Sequence, residues 1–119
     1  MGSSLSQFKK SIEQGDEKQS LDIYYKYSEI RRKLNPNAVI DELTMDTYMH
    51  VCARHGMANF LKILIVDKNG NPNMLNRLNQ SVLHTCCDGA DDKTQYECLQ
   101  ILLQWHEKAK IKKPNYPKH

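Results

Sequence analysis

The stretch "DTYMHVCARHGMANFLKILIVDKNGNPNMLNRLNQSVLHTCC", residues 46–87, places two histidines, His50 and His84, 34 residues apart in matching surroundings. Each follows a hydroxyl residue by three positions (Thr47, Ser81) and an apolar residue by one (Met49, Leu83), and each precedes a cysteine by two (Cys52, Cys86). Each is then followed by an apolar, helix-compatible run, "NFLKILI" (59–65) and "ECLQILLQW" (97–105). Between them "GNPN" (70–73) supplies a turn: Gly70 tolerates a positive φ, and Pro72 cannot continue a helix. The earlier "LNPN" (34–37) carries the same turn chemistry.

A period near 33 residues, with T-x-x-H opening a helix pair and G-x-x-N closing it, resembles the ankyrin repeat. Thr47, Met49, His50, Ala53, Gly56, Leu61, Leu64, Gly70 and Asn73 carry the match in one unit, and Ser81, Leu83, His84, Leu99, Leu102 and Leu103 in the next. The resemblance implies an all-α solenoid of about three helix-turn-helix units. The first unit, residues 6–27, reads as a helix, a break at Gly15-Asp16 and a second helix, without the T-x-x-H opening. It is a degenerate N-terminal cap, the place where an array departs from its consensus because one face meets water.

Hydrophobic spacing agrees. Phe8 and Ile12 fall at i, i+4; Leu21, Tyr24 and Tyr25 give a second stripe. Phe60, Leu61, Leu64 and Ile65 form a wide stripe in the second unit, as Leu99, Leu102 and Leu103 do in the third. No helix pair buries both faces alone, so the units must stack. The acidic, glycine-containing "DGADDKTQY" (88–96) reads as an inserted surface loop. The expected organisation is an acylation signal or flexible start at 1–7, a repeat region at 8–105, and a basic, flexible tail at 106–119 in which Pro114 and Pro117 end any helix.

The clustering of His50, Cys52, Arg54 and His55 invites a metal or catalytic reading, but a metal site needs three or four converging ligands with a second shell. In the repeat frame His50 locks a turn, Cys52 and Ala53 let helices approach, and Arg54, His55 and Gly56 make the link to the next helix. No residue reads as catalytic or metal-ligating. The cysteines are Cys52, Cys86, Cys87 and Cys98, with no C-x-x-C pair and no signal peptide, which reads as reduced thiols filling helix interfaces.

The 119 residues allow one small domain, and 39% apolar with 26% charged residues is a soluble composition. The net charge of +3 comes mostly from the tail, whose lysines lack the interleaved aromatics of a nucleic-acid surface. The start "MGSSLS" (1–6) fits M-G-x-x-x-[ST], a signal for myristoylation of Gly2. Two other readings stay open, an expression-tag scar and a chance match. One myristoyl chain binds membranes only reversibly, at about 10⁴ M⁻¹, and Lys9 and Lys10 could add an electrostatic second signal.

Taken in order, "QFKKSIEQGDE" (7–17), "LNPN" (34–37), "ARHGM" (53–57), "GNPN" (70–73), "NQSVLH" (79–84) and "CLQILLQW" (98–105) are similar to the ankyrin repeat and IBR domain-containing proteins. That resemblance implies the ankyrin region of a RING-in-between-RING ubiquitin ligase, with myristoylation at Gly2. The family's zinc ligands and catalytic cysteine have no counterpart here, so no cofactor is expected in this chain and zinc only in the ligase region. The function expected is therefore a non-catalytic protein-interaction module acting in ubiquitination; the alternative is a free-standing ankyrin adaptor. The expected partner is a protein, a ubiquitination substrate among the classes, with a membrane surface reached through the acyl group and no nucleic acid. The expected location is the cytoplasm, with membrane association through Gly2. Structural roles fall to Thr47, His50, Gly56, Gly70, Asn73, Ser81 and His84. Partner contacts are assigned to the segments before each T-x-x-H opening: Asp41, Glu42, Asp46, Met74, Asn76, Arg77 and Asn79.

Overall fold

The structure is a computed structural model that describes residues 3–88 and 92–112, the last two and residue 92 through their backbone. Gly2 and the tail beyond 112 lie outside the described residues.

Local signals start each helix. Helix α1 (Ser4–Glu13) is capped by Ser3, whose hydroxyl accepts the Ser6 N–H at 3.1 Å, and α2 (Glu17–Lys26) by Asp16, whose carboxylate accepts the Gln19 N–H at 3.1 Å. The break between them is the expected one: Gly15 takes φ +73°, open to glycine at no steric cost. The helical start at Ser4 corrects the expectation of a flexible 1–7, because the Ser3 cap lies inside that segment. A short α3 (Ser28–Lys33) follows, and then two small strands, β1 (Val39–Asp41) and β2 (Asp46–Thr47), pair antiparallel. The chain is mostly helical all the same.

Helix α4 (Tyr48–Arg54) leads through Gly56, at φ +70°, into α5 (Ala58–Lys62), which ends in a π-helical turn over Ile63–Asp67. Helix α6 (Val82–Cys87) and the long α7 (Asp92–Lys112) complete the third pair. Two sequence expectations are corrected here. Residues 92–96 are the first turns of α7 rather than part of a surface loop, because Gln95 donates its side-chain amide to the Cys86 carbonyl and ties that turn to α6. The same helix runs past Trp105, so residues 106–112 are helical rather than part of a flexible tail.

The pairs stack in register: α4 packs against α1 and α6, while α5 packs against α2 and α7. The link turns stack too. A Cβ on Gly15 would lie 2.9 Å from the His55 ring, and one on Gly56 would collide with Thr94 Oγ1. Phe8, Ile12, Met49, Cys52, Phe60, Leu61, Leu64 and Leu102 are fully buried between the layers, with Phe60 edge-on to Phe8 and Tyr24. At roughly 25 cal/mol per Å² of apolar area this shared interior holds the stack together. Two stripe residues fall outside it. Tyr25 and Leu103 face solvent, and Ile23 takes the inward position on α2.

Candidate functional site

The turns before α4 and α6 project as two neighbouring tips, residues 41–46 and 74–80, and both are built alike. In the first, Asp41 accepts the Leu43 N–H at 2.9 Å through its carboxylate, and Met45 sits at φ +61°. In the second, Asn76 Oδ1 accepts the N–H groups of Leu78 and Gln80 at 3.0 and 2.9 Å, and Asn79 sits at φ +60°. Such side-chain-to-backbone bonds are what make Asp and Asn turn residues.

Each tip leads into a reciprocal cap. Thr47 accepts the His50 N–H at 3.3 Å, and His50 Nδ1 accepts the Thr47 N–H at 3.1 Å; Ser81 and His84 repeat the arrangement. With Nδ1 an acceptor, His50 carries its proton on Nε2 and donates it to the Gln80 carbonyl at 2.9 Å, across to the next tip. Burial pushes the His50 pKa below the usual imidazole value, outweighing the Gln80 carbonyl and Asp46, which favour the charged ring. His84 has the same cap but an exposed ring, and among the described residues its second nitrogen reaches no following carbonyl.

Further bonds splice the tips together. The Arg77 N–H donates to the Thr44 carbonyl at 2.8 Å, and its guanidinium donates to the carbonyls of Leu43 and Glu42 at 2.8 and 3.2 Å. Asn76 Nδ2 donates to Asp46 Oδ1 at 2.9 Å, and Arg54 donates to the other carboxylate oxygen at 2.9 Å. Burial alone would raise the Asp46 pKa, but the bonds from Arg54 and Asn76 prevail and hold it below the ordinary carboxylate value. One step inward, the Asn71 N–H donates to Asn37 Oδ1 at 2.7 Å, joining "GNPN" to "LNPN".

These contacts sort the residues picked from sequence. Thr47, His50, Ser81 and His84 form the caps, and Gly56 takes the positive φ of its link. Asn73 donates its N–H to Asn71 Oδ1 at 3.0 Å within its turn. Gly70 needs correction: the positive φ falls on Asn69, at +59°, and Gly70 is required because a Cβ would press on Met49 Sδ and the Leu64 carbonyl. Asp46 and Asn76 are corrected as contact residues, since they are 2% and 6% exposed and bond to each other. Arg77 is exposed yet engaged with the neighbouring tip, Asn79 shapes its turn, and Met74 is half-buried. Asp41 is half-buried and Glu42 exposed at the rim of the first tip.

The residues that sequence reading passed over are apolar. Leu43 is 83% and Leu78 75% exposed, and both line a cleft of about 280 Å³ between the tips, together with Arg54 and Arg77. Leu75 and Met45 stand exposed nearby in sequence. A signal was available, because a leucine inside a tight turn cannot reach the core on either side. Among the described residues no group of His, Cys, Asp and Glu is disposed to hold a metal ion, and no helix is long and apolar enough to cross a membrane.

No protein-family model matches the chain, and no solved structure matches it either. Among curated proteins it is similar to "Ankyrin repeat and IBR domain-containing protein 1" of Mus musculus and of Homo sapiens, 30% identical to each over 135 aligned residues. The alignments take in 98% of this chain but only 12% of either relative, so the chain spans a small part of the proteins it matches. The resemblance read from the sequence therefore holds over nearly the whole chain.

Proposed function

We propose that this chain is an ankyrin-repeat protein-interaction module that presents a rigid pair of loop tips to a protein partner. The observation that carries this reading is the exposure of Leu43 and Leu78 on tips that Arg77, Asn76 and His50 hold in fixed register. Large apolar side chains on a stiff, hydrogen-bonded support cost little to order on binding, and covering them removes apolar surface from water. The 34-residue recurrence of the Thr/Ser–His caps supports the repeat assignment.

Similarity to the ankyrin repeat and IBR domain-containing proteins supports placing the module in a ubiquitin ligase, where it would hold a substrate or regulator near the catalytic region. Through the "MGSSLS" start, myristoylation of Gly2 would bring the module to the cytoplasmic face of a membrane. Intact mass of the chain made with an N-myristoyltransferase, against a Gly2→Ala control, tests that second element.

The interaction reading is tested by placing a photo-crosslinking amino acid at position 43 or 78, or at exposed Lys62 on the opposite layer, in eukaryotic cells. A discrete crosslinked protein from the tips, lost when the other leucine is changed to aspartate and absent from position 62, is expected. Equal crosslinking from all three positions would overturn the assignment of the tips.

A further inference from the structure

A groove of about 470 Å³ runs between the start of α1 and the α3–β1 segment, with Tyr48 of α4 also in its wall. Leu5, Ile30, Leu34, Ala38 and Tyr48 line it, and so do Ser3 and Ser4, so the residue that follows Gly2 in the chain borders the groove. We infer that this groove is the cis docking site of a saturated acyl chain carried by the Gly2 amine. The inference rests on the acylation of Gly2 proposed above.

Four features point to an acyl chain. Five lining side chains are hydrocarbon or aromatic, with Glu29, Lys33 and Asn35 among the polar ones beside them, and burial pushes the Tyr48 phenol up to about 12, so that wall stays uncharged. A peptide strand would bring backbone N–H and C=O groups that need partners, whereas an alkyl chain needs none. The volume lies within the roughly 300–1,000 Å³ of small-molecule sites. The occupant is also tethered to the residue before Ser3, which lines the groove, so docking is intramolecular at an effective concentration of order millimolar. Leu5, half-exposed on the first turn of α1, gains a neighbour by it. The consequence is a two-state acyl group: docked, it keeps the chain off membranes; released, it joins Lys9, beside the groove, and exposed Lys10 in a two-part membrane signal.

The test uses the full chain coexpressed with N-myristoyltransferase, with acylation read by intact mass. Methyl NMR of the acylated wild type is expected to show nuclear Overhauser contacts between acyl methylenes and the methyls of Leu5, Ile30, Leu34 and Ala38. Acylated Ala38→Phe, with the groove filled, is expected to partition onto phosphatidylcholine vesicles about tenfold more strongly than acylated wild type, as releasing a chain docked nine times in ten requires. Acylated protein with none of those methyl contacts overturns the groove and leaves acylation of Gly2 standing. Absence of the acyl group on the mass overturns both, and does so at Gly2. Should Ala38→Phe not fold, the wild-type methyl contacts decide alone.

Discussion

His50 and His84 occupy identical local frames, and replacing each by alanine separates the local from the long-range part of their role. His84→Ala removes one half of an exposed cap, a loss of about 1 kcal/mol. His50→Ala removes the same cap and also strands the Gln80 carbonyl, which accepts Nε2–H at 2.9 Å. An acceptor left without its partner costs a further 1–3 kcal/mol or so, and the space left by a fully buried ring adds to that. His50→Ala should therefore cost about 3 kcal/mol, a large share of the roughly 5–15 kcal/mol that holds a domain folded. Urea unfolding followed by circular dichroism reads the difference. With a slope of about 1.5 kcal/mol per molar, the midpoint should fall by about 2 M for His50→Ala and by under 1 M for His84→Ala. Amide exchange should localise the loss, with protection falling first across residues 74–87. Equal midpoints for the two variants would refute the claim that the imidazole bridges successive tips.

The same ring makes stability pH-dependent. The folded pKa of His50 is lowered, so the unfolded chain binds the extra proton, and stability present above about pH 6.5 is lost as pH falls toward the lowered value; His50→Gln, which keeps a capping side chain, should flatten a melting profile between about pH 7 and 5. Asp46 acts lower down with the same sign: its depressed pKa gives stability that is present above about pH 3.9 and lost below it, and Asp46→Asn should remove that part of the acid transition in an acid titration. Gly56→Ala combines a positive φ with a collision against Thr94 and should cost about 2–3 kcal/mol in urea unfolding; a loss under half of that would mean the link turn rearranges freely. In native thiol labelling Cys87, exposed, should react first, whereas Cys52, whose thiol burial pushes upward, and buried Cys86 and Cys98 should wait for unfolding; mass spectrometry of the labelled peptides decides. The double change Leu43→Asp, Leu78→Asp should move the urea midpoint hardly at all, within about 0.5 kcal/mol, since neither side chain packs in the core.

Some of this was legible in one dimension. The caps at Thr47–His50 and Ser81–His84 close over three residues, so their chemistry is written in adjacent letters. The break at Gly15 and the link at Gly56 were equally plain, because a positive φ between helical runs favours glycine. The apolar stripes marked most of the core for the same reason, with Tyr25 and Leu103 misassigned where a stripe is wider than the surface available to cover it.

What sequence missed depends on residues far apart along the chain. Asp46 and Asn76 look like ordinary polar turn residues, and only the approach of the second tip to the first buries them against each other. The "DGADDKTQY" segment looks like a loop from its composition, yet contacts of Gln95 with Cys86 and of Thr94 with Gly56 commit most of it to α7. By itself the sequence determined the repeat period, the caps, the link turns and the family resemblance, because each is encoded within a few residues or by a fixed spacing. Which of two identical histidines is buried, which turn residues are spent on structure, and which leucines are left exposed at the tips were decided only by stacking, because burial belongs to the neighbour that covers a residue and not to the residue itself.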